Sequence, residues 1–320
     1  MAARTRYAPD RGLTARMTAT MFLLGLVFVG FVALIVALMT HYGASAALIV
    51  LVAVVLGGGM AIGSLFYSDK IALRTAGAVE VTPQQAPELH GVVDRLCALA
   101  DMPKPRVAIA RTPMPNAFAT GRSADKAVLC VTTGLLATLN KDELEGVIAH
   151  EMSHVAHKDV QVMTIASFLA IIAALLIRFS FYGELFGGGG RGRGGNNNGG
   201  FLPVLLIMMA VSIVVYAVSF LLIRLLSRYR ELAADRSGAL LTGQPSALKS
   251  ALIKVSGDMN KIPTRDLRSA EPLNAFFFAP AMRLNAAKSL STIFSTHPSL
   301  ERRLAELDKI QQQLSGSGPK

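Results

Sequence analysis

His150-Glu151-Met152-Ser153-His154 is the stretch of this chain whose residue types and spacing point most directly to chemistry. Histidines four apart on a helix face the same way and can hold one zinc ion through their imidazole nitrogens. Glu151, beside the first of them, is placed to accept a proton from a water at the metal. Three protein ligands and one open position are the arrangement of a catalytic zinc, and the expected reaction is attack of an activated water on a polarised peptide carbonyl.

A third ligand must come from elsewhere. His157 lies on about the same helical face, but one straight helix cannot easily wrap three adjacent ligands around a tetrahedral ion. Glu231, in Ser227-Arg228-Tyr229-Arg230-Glu231-Leu232-Ala233-Ala234-Asp235, is the better candidate. An apolar run begins about six residues after His154 and another ends about eight before Glu231. An antiparallel hairpin through a membrane would return both segments to one face, about 10 Å beyond their spans if helical. Asp235 stands one turn after Glu231, where its carboxylate could orient a ligand histidine through the other ring nitrogen. The plain alternative for Glu231 and Asp235 is a solvated charge face shared with Arg228 and Arg230.

The elements that must carry these residues are legible in part. Asn140 is a favoured N-cap, and Glu143 three residues on can return the capping hydrogen bond. Leu144, Val147, Ile148 and Val155 then give a helix carrying His150 and His154 its apolar stripe. Upstream, Glu88 to Ala100 reads as a helix, with Leu89, Val92, Val93, Leu96 and Leu99 recurring on one side. Pro103 and Pro105 end it, and Arg106 to Ala110 and Ala127 to Thr132 suit paired strands. Between them, Pro115 to Gly121 reads as a turn followed by an edge strand. After the last apolar run, Ala233 to Ser256 and Pro298 to Leu307 are amphipathic and helix-like.

The apolar runs account for the composition, which at 52% hydrophobic and 17% charged residues is too apolar for a purely soluble chain of 320 residues. No Asp, Glu, Lys or Arg occurs between Arg16 and Asp69, enough chain to cross a bilayer of about 30 Å twice, with the turn at His41, Tyr42 and Gly43. Four spans are expected, at 21–40, 46–67, 160–178 and 201–223. The first exceeds the h-region of a signal peptide and is read as a retained anchor. Arg4, Arg6, Arg11 and Arg16 precede it and no Lys or Arg occupies the loop after it, so both termini are expected in the cytoplasm. Arg191 and Arg193, in the loop between the last two spans, run against this but are fewer.

That reading divides the chain into a cytoplasmic amino terminus (1–20), a catalytic part (68–159) before the third span, a flexible Gly/Asn-rich loop on the far side (179–200), a second catalytic part (224–314) and a disordered tail (315–320). Its fold class is mainly α within α+β, an integral membrane protein whose zincin-like cytoplasmic domain holds a small β-sheet. The net charge of +11 is attributed to arginines that flank the spans, facing anionic headgroups. With no basic run interleaved with aromatics, nucleic acid is not an expected partner. Cys97 and Cys130 lack metal or redox spacing and read as reduced, buried thiols.

Thr296-His297-Pro298-Ser299-Leu300-Glu301-Arg302-Arg303 supplies a histidine and an arginine that could face an oxyanion, although a helix start explains the segment equally well. Taken together, two amino-terminal spans, HEMSH before a third, SRYRELAAD after a fourth and STHPSLERR near the end resemble the HtpX family of bacterial membrane zinc metalloproteases, gluzincins similar to the eukaryotic CAAX prenyl endopeptidases. The resemblance implies that His150, His154 and Glu231 are zinc ligands, Glu151 the catalytic base and Asp235 the supporting carboxylate. It implies that His297 and Arg303 stabilise the transition state, and that Asn116, Ala117, Phe118 and Ala119 form an edge strand on which an extended substrate pairs. By the same resemblance the chain sits in the bacterial inner membrane, binds one zinc ion, and cleaves damaged or misfolded membrane proteins on the cytoplasmic side. Two other readings share the zinc residues: a CAAX-type processing protease, and a non-enzymatic scaffold with a structural zinc site. Four spans argue against the first, and a complete set of base and ligands against the second.

Overall fold

The described residues form mainly helices, several of them long and apolar, and a small mixed sheet. The computed structural model describes residues 11–41, 59, 62–63, 66–67, 69–187, 201–261 and 297–316. The chain forms two compact units, one of residues 1–15, 65–161 and 227–320, the other of 16–64 and 162–226.

Among the described residues, the apolar unit contains three long helices: α1 (Arg11–His41), α5 (Asp159–Gly187) and the first part of α6 (Phe201–Thr242). Among the described residues, these three contain stretches long and apolar enough to cross a membrane. Leu24, Phe31 and Ile35 of α1, Leu169, Ile172 and Leu176 of α5, and Met208 and Leu226 of α6 form one buried cluster. Phe22, Val29, Ile165 and Val214 are more than half exposed, as residues facing hydrocarbon are. The expected span at 46–67 lies almost wholly outside the described residues, as do most of the expected loop at 179–200 and of the expected tail at 315–320. α5 is longer than the expected span and stays helical to Gly187.

The other unit carries a four-stranded sheet, β1 (Ala78–Glu80), β2 (Arg106–Ala110), β3 (Ala117–Thr120) and β4 (Val128–Thr132), in the order β1-β2-β4-β3. β2 and β4 are parallel and the outer strands antiparallel, so the sheet is mixed. The period-2 alternation of a strand divides its side chains: Val107, Leu129 and Val131 enter the main core, while Ala108, Val128 and Cys130 pack with Ala72 and Phe118 on the opposite face. The expected edge strand is β3. β1, three residues long, had no sequence pattern to announce it.

Against the main face pack α2 (Pro87–Ala100), α3 (Thr133–Thr138), α4 (Lys141–Ala156), α7 (Pro245–Lys261) and α8 (Leu300–Leu314). Gly243, at φ +68, turns the chain from α6 into α7, a left-handed conformation that glycine adopts without the penalty of a Cβ. α4 begins with the capping box expected at Asn140: its side chain accepts the Glu143 N–H at 2.9 Å, and Glu143 Oε2 accepts the Asn140 N–H at 2.9 Å.

Candidate metal centre

α4 holds His150 and His154 one turn apart, their rings edge to face with centroids 4.9 Å apart. The end of α6 brings Glu231 against them. The approach is close because Gly238, seven residues later on the same face of α6, has no side chain: a Cβ there would lie 2.9 Å from the backbone nitrogen of His150. His150 Nε2 is 3.3 Å from His154 Nε2 and 3.7 Å from Glu231 Oε2, and His154 Nε2 is 3.5 Å from Glu231 Oε1. One ligand atom from each residue thus falls within 4.8 Å of the other two. His157, the other histidine on this helix, is its C-cap and is not in that group.

This donor set fits a zinc ion. Around a tetrahedral ion with bonds of about 2.0–2.1 Å, ligand atoms sit about 3.3–3.4 Å apart, close to the separations here. The opposite nitrogens are already engaged. His150 Nδ1 is 2.9 Å from Asp235 Oδ1, and His154 Nδ1 is 2.5 Å from Asp159 Oδ2. In both rings Nδ1 faces a carboxylate and Nε2 faces the shared space, so a metal bound there would take the neutral tautomer protonated at Nδ1.

Burial and charge set the protonation of the cluster. Burial, outweighing Asp235, holds His150 below the ordinary histidine value. Burial alone would lower His154 too, but its bond to Asp159 and the charges of Asp159, Glu231 and Glu151 carry it up to about 9. Glu151 is 5% exposed, and burial, helped by the Glu231 charge, pushes its carboxyl up to about 7 against the opposing effect of His154. Its Oε2 accepts the N–H of Ala119 at 3.2 Å, so the general-base candidate touches the edge strand directly. That N–H points away from β4, and by alternation the outward N–H and C=O groups of β3 belong to Ala117 and Ala119. Asn116 precedes the strand, its backbone tied to the Thr132 hydroxyl at 2.8 Å and 3.0 Å. The end of β3, with Arg122, Val155 and Lys158, lines a small cleft that reaches His154.

His297 and Arg303 reach the cluster from the last segment. His297 Nδ1 lies 3.0 Å from Glu231 Oε2. Arg303 is 1% exposed, and its Nε and Nη2 donate to the two Asp235 oxygens at 2.7 Å and 2.6 Å, while Nη1 is 3.8 Å from Glu231. Both carboxylates hold its pKa above the ordinary arginine value in spite of burial. The guanidinium that sequence reasoning aimed at an oxyanion is thus placed on Asp235. Three residues of the cluster were missed: Asp159, Arg230 and Gly238. Asp159 had one signal, a lone carboxylate at the mouth of an apolar run.

The profile of peptidase family M48 matches residues 83–311. The chain is 55% identical over 316 residues to "Protease HtpX homolog 1" of Streptomyces coelicolor, covering 99% of this chain and 98% of that protein. It is 50% identical over 313 residues to "Protease HtpX homolog 2" of Methanosarcina mazei, covering 98% and 100%. Among solved structures it is similar to S. mikatae Ste24p, with a TM-score of 0.52 at 17% identity over 93% of this chain and 67% of that one, a likeness of fold. With its apolar helices and its match over most of its length, the chain belongs to peptidase family M48, among the membrane proteases of HtpX type.

Proposed function

We propose that this membrane protease is a zinc-dependent endopeptidase with His150, His154 and Glu231 as ligands and Glu151 as general base. The observation that carries the reading is the convergence of three ligand atoms whose histidines are each held from behind by a carboxylate. A bound zinc ion supplies Lewis acidity, polarising the scissile carbonyl and lowering the pKa of water toward about 7. Glu151 Oε2 takes the proton from the attacking water and delivers it to the departing amine, a role suited to a carboxyl whose pKa is already near 7. The substrate lies extended along β3, paired with the outward groups of Ala117 and Ala119, and the Ala119 N–H that now serves Glu151 is in reach of both. Phe118, on the same strand, packs into the sheet and keeps that edge in place. His297 donates to the developing oxyanion, and Arg303 supports the centre through Asp235, which fixes the His150 ring.

The arrangement in the cell follows the charge pattern of the sequence. Four spans, the second at 46–67, place both termini and the site in the cytoplasm of a bacterial cell, in its inner membrane. The division into a cytoplasmic start (1–20), catalytic parts at 68–159 and 224–314, a far-side loop and a free tail belongs to the same proposal. Damaged or misfolded membrane proteins are the proposed substrates.

The test uses the full chain in detergent, loaded with zinc, and follows cleavage of an unfolded protein. Glu151→Gln is expected to bind zinc as the wild type does and to lose cleavage by about a hundredfold to ten-thousandfold. Zinc-loaded wild type that cleaves nothing, or a Glu151→Gln variant that cleaves at the wild-type rate, would refute the assignment.

A further inference from the structure

Each ligand histidine is backed by a carboxylate, and each carboxylate by an arginine, but the two sets are built differently. His150 is served by Asp235, one turn after Glu231 on α6, and Asp235 by Arg303. His154 is served by Asp159, five residues further along its own chain. In a continuous helix the fifth residue on would point about 140° away from His154. α4 ends at Ala156, His157 caps it, and Lys158 takes φ 56, a left-handed conformation that residues other than glycine rarely adopt. The chain restarts as α5 with Asp159 as its first residue, and Oδ2 comes back to 2.5 Å from His154 Nδ1.

Arg230 closes the second set. Its Nη2 lies 2.6 Å from the same Oδ2, and Asp159 is 3% exposed. A buried carboxylate is tolerable only when paired, and this one is shared between the imidazole and the guanidinium. Arg230 immediately precedes Glu231, so the clamp on Asp159 also fixes the turn of α6 that presents the third ligand.

We propose that Asp159, clamped by Arg230, is the positioning residue of His154, and that the kink at Lys158 exists to return it to the imidazole. The inference rests on the reading of the cluster as a zinc site. A carboxylate serving only the start of α5 would interact with the helix dipole and leave metal binding untouched. The two roles therefore separate in a measurement of binding.

The experiment compares the full-length wild type with Asp159→Ala, Asp159→Asn and Arg230→Met in detergent. Asp308→Asn, at an exposed carboxylate on α8 paired with Lys249, serves as control. Zinc affinity is read by competition with a chromophoric chelator, and the site geometry by the absorption spectrum of the cobalt-substituted protein. Asp159→Ala is expected to weaken zinc about 10- to 100-fold and to change the cobalt bands, and Arg230→Met to weaken it about tenfold. Asp159→Asn is expected to fall between Asp159→Ala and wild type, because the amide oxygen still accepts from Nδ1 without the charge, and the control to match wild type. Should Asp159→Ala fail to fold, Asp159→Asn and Arg230→Met carry the comparison. Wild-type affinity and an unchanged cobalt spectrum in the Asp159 variants overturn the inference and leave the zinc site standing. A wild type that binds no zinc overturns both.

Discussion

Glu143 anchors α4 at the opposite end from the metal centre. Its Oε2 takes the Asn140 N–H and, at 2.7 Å, the Lys254 ammonium, and its Oε1 takes the Ser250 hydroxyl at 2.6 Å. Burial alone would raise its pKa, but Lys254, Ser250 and the Asn140 N–H outweigh burial and hold it below the ordinary glutamate value. A folded-state pKa lower than the unfolded one stabilises the protein above the unfolded value of about 4.3, and this contribution disappears as pH falls through the folded value. Replacing Glu143 by Gln should cost about 1 kcal/mol at neutral pH and flatten the loss of stability below about pH 5, measured as thermal midpoint against pH. At this scale the sequence was most readable where partners are neighbours: Asn140 with Glu143, and His150 with His154, are fixed by the helical repeat alone. Asp159 and Arg230 were not, because their meeting depends on the left-handed Lys158 and on a helix more than 40 residues away. Arg303 was expected to face an oxyanion, and nothing local reveals that its guanidinium will meet Asp235.

Between elements, the contact that matters most for the site is the crossing of α6 and α4 at Gly238. A methyl group there would meet the backbone of His150 and Ala149, which cannot rotate aside. Gly238→Ala is expected to force the helices apart and, despite the better helix propensity of alanine, to destabilise by about 1–3 kcal/mol and weaken zinc about tenfold. Gly257 in α7 is the contrast: a Cβ there meets nothing within 4 Å, so Gly257→Ala should stabilise by about 0.5–1 kcal/mol without changing zinc affinity. Calorimetry and the chelator competition check the pair together, and equal behaviour of the two variants would contradict the packing argument. The strands show the same division between local and distant. β2 and β4 are visible as β-branched runs, whereas β1 and the order β1-β2-β4-β3 follow from pairings across the chain that no short pattern encodes.

For the whole molecule, a ligand that binds only the folded state raises stability by mass action. Zinc held at about one hundred times its dissociation constant should add about 2.7 kcal/mol, so stripping the protein with a chelator should lower its thermal midpoint and restoring zinc should return it. A midpoint indifferent to zinc would mean that no ion is held in the folded chain. The distance from His154 to Glu231 in sequence is spanned by the apolar helices, whose hydropathy announced them while hiding the site they help to complete. Glu231, Asp235 and Gly238 follow one another on α6 at intervals of four and three, so a single inserted residue among them would swing the later members by about 100° around the axis. Length changes in the Gly/Asn-rich stretch from 188 to 200 leave that phase intact. Insertions and deletions should therefore accumulate before α6 and be purged within its last three turns, making the centre vulnerable to a frame of spacing even where every ligand is retained.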